Sequence, residues 1–60
     1  MDKVIDGILL EVSLYVDAAR TSYKNGDVSN AVYCMDCADI ELMRARDKAV
    51  FTMRHGDNNA

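Results

Sequence analysis

The sequence has no proline and no tryptophan, and among its 60 residues it has three glycines, one histidine and one phenylalanine. Without proline, no ring clash or missing N–H interrupts a long helix. No stretch alternates apolar and polar residues with period two, so strands are not expected. No apolar run approaches the ~20 residues that a membrane span needs. Ile8-Leu9-Leu10 is stopped at once by Glu11, and the N-terminus carries acids, so no signal peptide is read here. The net charge of −3 gives no general attraction to nucleic acid or to an anionic membrane. Catalytic chemistry is also missing. Ser13, Ser22 and Ser29 have no local histidine, there is no Glu-x-x-His pair, and no glycine-rich loop cradles phosphate. No catalytic residue, cofactor or enzymatic activity is expected. Two cysteines without a secretory signal point to a cytoplasmic setting with free thiols.

What is present is apolar surface at helical spacing, with 50% of residues hydrophobic. Such a composition argues against disorder. The one strong turn signal is Asn25-Gly26-Asp27, which follows Lys24 between two long amphipathic runs. Gly26 suits the left-handed position past a helix C-terminus, and Asp27 or Ser29 suits the N-cap of the next helix. The expected fold is therefore all-α: a helix over 3–24, a turn at 25–27, an antiparallel helix over 28–54 and a disordered polar tail over 56–60. The hairpin, residues 1–55, forms one domain.

In the first run Val4, Ile5, Ile8, Leu9, Val12, Tyr15, Val16, Ala19 and Tyr23 form one broad stripe at 100° per residue. Leu10 and Leu14 fall on the other side as a small i,i+4 patch. Gly7, which costs about 1 kcal/mol against alanine inside a helix, marks a frayed first turn or a close helix approach. In the second run Val28, Ala31, Val32, Met35, Ala38, Leu42, Ala45, Ala49 and Met53 form the main stripe. Its alanines would let the helices approach closely. A thinner line holds Tyr33, Ile40 and Phe51. Asp39 and Arg46 sit almost within the main stripe. Arg46 is expected to pair with Asp2 or Asp6 at the open end, while Asp39 has no evident partner.

Tyr15, Ala19, Tyr23, Gly26-Asp27, Ala31, Met35 and Ala38 occupy the large and small positions of a tetratricopeptide-type helical hairpin, which this half of the chain resembles. The closing proline of that repeat is replaced by Met43 and no second copy follows, so the resemblance implies the hairpin geometry and no peptide groove. The short acidic format also resembles small accessory proteins of temperate-phage early regions.

Cys34-Met35-Asp36-Cys37 is the one pattern with metal or redox potential. It lies within a helix, away from the N-terminus that would activate a thiol. Two thiolates at i,i+3 can chelate zinc, but a structural site takes four ligands. His55 is roughly 27 Å from Cys37 along the helix, so a zinc site would need Cys34 and Cys37 from two chains. Arg44, Arg46, Lys48 and Arg54 form a basic cluster, but they point in different directions and Asp47 interrupts them.

The overhang adds a further expectation. Twenty-two residues fold back against twenty-eight, so the second helix overshoots the first by roughly 9 Å, and that overshoot carries Val50, Phe51 and Met53. With Leu10, Leu14, Tyr33 and Ile40 also uncovered, a homodimer forming a four-helix assembly is expected. The functional expectation is a small interaction adaptor acting on an unknown protein, such as a host factor bound by a phage accessory protein. The alternatives are a small nucleic-acid-associated regulator using the basic end of the second helix, and a zinc-stapled dimer.

Overall fold

The computed structural model describes residues 2–55, and the expected tail at 56–60 lies outside the described residues. Two helices, α1 (Lys3–Lys24) and α2 (Val28–His55), pack against each other as a hairpin. No strand occurs among the described residues. The molecule is elongated, 50 × 15 × 11 Å.

Each helix end is built from named atoms. Asp2 caps α1: its side chain accepts from the Val4 N–H at 2.8 Å and from the Ile5 N–H at 3.3 Å. At the other end the Gly26 N–H donates to Tyr23 C=O at 3.1 Å and the Asp27 N–H donates to Ser22 C=O at 2.9 Å. That pair of bonds is a Schellman motif, and it requires the left-handed backbone that Gly26 supplies at φ 83°. Asp27 also caps α2, its carboxylate accepting from the Asn30 N–H at 3.0 Å. One residue thus closes one helix and opens the next, which keeps the turn short. Asn30 adds a side-chain bond from Nδ2 to Ser22 Oγ at 2.7 Å across the turn.

The contact between the helices is a heptad seam. In α1 the least exposed residues are Ile5, Ile8, Val12, Tyr15, Ala19 and Ser22, and in α2 they include Ala31, Cys34, Ala38, Glu41 and Ala45. Both series advance by alternating steps of three and four, the signature of helices meeting along one line. Alanine recurs every seventh residue in α2, at Ala31, Ala38 and Ala45, and Ala31 is 0% exposed. Small side chains at the contact set a short interaxial distance.

This seam is narrower than the periodicity predicts. Val28, Val32, Met35, Leu42 and Met53 were expected in the buried stripe, yet all five are exposed. The same holds for Val4, Leu9, Val16 and Tyr23 in α1. The reason is geometric. A two-helix contact covers only the line of closest approach, and the alanines and Cys34 hold that line in α2. Cys34 lies inside the seam, buried. Arg46 pairs with its neighbour Asp47 at 3.3 Å rather than with Asp2 or Asp6. Gly7 has open space around an added Cβ, which excludes the close-approach reading.

Candidate interaction surface

Beside the buried seam each helix carries a second series with the same three-four spacing. In α1 it runs Asp2, Asp6, Leu9, Ser13, Val16, Arg20, Tyr23, and in α2 it runs Val28, Val32, Met35, Asp39, Leu42, Arg46, Ala49, Met53. In an antiparallel pair these two series flank the same side of the contact. Between them lies an open groove. Toward the turn it has a volume of about 630 Å³ and is walled by Val12, Val16, Tyr23, Met35 and Leu42 over a floor of Ala19 and Ala38. Toward the open end it continues as a second hollow of about 320 Å³ between Ile5, Leu9, Ala49 and Thr52. Its large walls are only partly covered: Val16 is 45% exposed, Leu42 47% and Tyr23 64%.

The charges on this side are ordered along the length. Arg20 and Lys24 border the groove at the turn end. Asp2 and Asp6 border it at the open end. Asp39 lines its middle. Arg20, Lys24 and Asp39 form no ion pair among the described residues, where the salt bridges are Arg44–Glu41 and Arg46–Asp47. Arg20 and Lys24 share a small surface hollow with Asp17 and Thr21.

The opposite side carries exposed apolar residues such as Tyr33 and Ile40 beside polar ones. Glu41 sits at the seam's edge with 18% of its side chain exposed, and Arg44 Nη1 donates to its Oε1 at 2.9 Å as well as to Oε2. The Tyr15 phenol is pushed above its ordinary 10.0, first by negative charge at Cys37, then by lost hydration and by Glu11 and Glu41. Tyr33 is raised too, chiefly by hydrogen bonding to Cys37 and by the charge there, and then by Tyr15. Asn30 Nδ2 donates to Cys34 Sγ at 3.8 Å. The Cys34–Cys37 pair therefore faces hairpin neighbours. Among the described residues no group of three or more His, Cys, Asp or Glu side chains is placed to hold a metal ion.

The residues expected at an interface divide into three places. Leu10 and Leu14 are exposed on the back of α1, and Tyr33 and Ile40 on the back of α2. In the last turns of α2, Val50 is half-buried. Phe51 and Met53 are exposed there, with the Phe51 ring 4.2 Å from that of His55. Sequence reasoning missed the groove itself, because it assigned Val16, Tyr23, Met35 and Leu42 to the core. The available signal was alanine at 31, 38 and 45, which marks where a partner helix can come closest. No helix is long and apolar enough to cross a membrane among the described residues. No family model, characterised protein or solved structure matches the chain.

Proposed function

We propose that this hairpin is a non-enzymatic interaction module that works as a homodimer and docks onto another protein through its helix faces. The observation that carries this reading is an inversion of size: the residues inside are mostly small and those outside are large. Apart from Ile8, the buried apolar set is Ala19, Ala31, Cys34, Ala38 and Ala45, and no large side chain is fully buried among the described residues. A fold of this length is marginal even with a full core. Covering a side chain such as Leu42 or Met35 contributes about 1.5–3 kcal/mol, so association supplies what the hairpin lacks. Two details favour a protein partner over nucleic acid or zinc. Arg44 is engaged by Glu41, whose side chain is only 18% exposed, and Cys34 is buried in the seam.

The test is affinity capture from the native host with the wild-type chain and with Leu14→Asp, which alters the back of α1 and leaves the groove intact. Loss of a captured protein with the variant, at unchanged dimer mass, is the expected result. An identical set of captured proteins removes Leu10 and Leu14 as a docking patch. Salt-sensitive retention of duplex DNA by the wild type would replace this reading with the nucleic-acid one.

A further inference from the structure

The homodimer reading leaves open which face takes the second copy, and the charges along the groove decide it. On α1 they are arranged symmetrically about Ser13. Asp6 and Arg20 lie seven residues to either side of it, and Asp2 and Lys24 lie eleven to either side. The signs are opposite in each pair. On α2, Asp39 and Arg46 have opposite signs and lie three residues before and four after Leu42. Val12, next to Ser13, and Leu42 wall the same stretch of groove, so the two centres lie at about the same height along the hairpin. A chain whose charges reverse sign about a centre is complementary to its own copy turned end for end. That is the condition for an isologous interface on a two-fold axis.

We infer that a second copy of this chain seats in the apolar groove, antiparallel, about a two-fold axis beside Ser13 and Leu42. Asp6 of each copy then faces Arg20 of the other, Asp2 faces Lys24, and Asp39 faces Arg46. Leu9 of one α1 falls near Val16 of the other, because they lie four and three residues to either side of the centre. The other two-fold, along the hairpin, would lay α1 of one copy over α2 of the other and set Arg20 and Lys24 against Val32 and Met35, leaving those charges without a carboxylate across the interface. A foreign helix could cover the same apolar walls, but nothing about it would require this symmetry. The Arg46–Asp47 pair is no obstacle, since both side chains are mostly solvent-exposed, at 71% and 67%, and such a pair is readily exchanged. The face that remains outside this dimer carries Leu10, Leu14, Tyr33 and Ile40. It is therefore the one left for another protein.

Cross-linking reads the register directly. In a Cys34→Ala/Cys37→Ser background, single cysteines are introduced as Ser13→Cys, Asp6→Cys, Arg20→Cys and Leu14→Cys, and each protein is treated with a short thiol-specific cross-linker. Ser13→Cys is expected to cross-link with itself. Asp6→Cys and Arg20→Cys are expected to be silent alone and to cross-link when mixed. Self-linking of Asp6→Cys overturns the antiparallel register. Self-linking of Leu14→Cys with silence at Ser13 overturns the choice of face. Both of those results leave the homodimer standing, whereas a monomer mass by sedimentation removes homodimer and register together. Charge reversal is the second measurement. Asp6→Lys should raise the dimer Kd about tenfold, as loss of two weak surface pairs and gain of two repulsions implies. Adding Arg20→Glu should bring it back. A double variant as weak as the single one overturns the pairing.

Discussion

The two seams of this hairpin differ in what they are made of. The inner one joins α1 to α2 through Ala31, Ala38, Ala45, Cys34 and Ala19. The outer one, on the groove side, carries Leu9, Val16, Tyr23, Met35 and Leu42. If burial alone chose the contact, the larger residues would be inside, because each offers more apolar area. Close approach makes the choice instead. Alanines every seven residues let two backbones meet along their whole length, and a short turn capped at both ends by Asp27 fixes which faces meet. The larger residues then form walls on either side of that line. The inner seam shapes the monomer, and the outer one leaves large apolar residues uncovered.

The comparison breaks most severely where the inner seam is enlarged. Ala31→Leu places three further carbons where nothing is exposed, so the helices must separate. A loss of about 1–3 kcal/mol is expected, read as a lower melting temperature by circular dichroism. An unchanged melting temperature would mean that close approach is not what selects the seam. The next largest effect is at the turn. Gly26→Val should cost about 1–2 kcal/mol, because a β-branched residue resists positive φ and the Schellman bonds depend on it. Gly7 offers the opposite control: its surroundings are open and its backbone is helical. Gly7→Ala should therefore stabilise the fold by about 1 kcal/mol. A destabilised Gly7→Ala would mean that this surface is covered in the folded assembly. The smallest effect concerns alkaline pH. The Tyr15 and Tyr33 phenols have pKa values raised above 10.0 in the fold, so the protonated form is favoured there. Their contribution is complete below the unfolded value and is lost as pH rises through the folded ones. Denaturation followed from pH 9 to 12 should show stability falling, and Tyr33→Phe should flatten that fall.

The hairpin itself was legible in the sequence, and the reasons are local. Asn25-Gly26-Asp27 specifies a left-handed stop followed by a cap, and the apolar spacing on either side has the helical period. The first helix ends where that spacing predicts, and the second runs one residue further, to His55. The packing face was not legible by the same means. A stripe such as Val28, Ala31, Val32, Met35, Ala38 is wider than one partner helix can cover, and periodicity says nothing about which edge is left over. The mean direction of the stripe points between the two seams. Only the size pattern separates them, since alanine and cysteine mark one edge and valine, methionine and leucine the other. Asp39 and Arg46 were hard to place for the same reason. They interrupt the stripe when it is read as a single buried face, and they fall into step once its outer edge is read as a seam of its own. Arg46 was expected to reach Asp2 or Asp6, but it lies on α2's outer series and turns to Asp47 instead.

The central claim is that the large outer residues are covered by association. Sedimentation equilibrium at micromolar concentration, run on the wild type beside Leu42→Asp, tests it most directly. The chain mass is 6.7 kDa. The wild type should sediment at twice that mass, and Leu42→Asp should fall to the single-chain mass with a lower melting temperature. A well-folded wild-type monomer whose melting temperature is unchanged by Leu42→Asp would contradict the account.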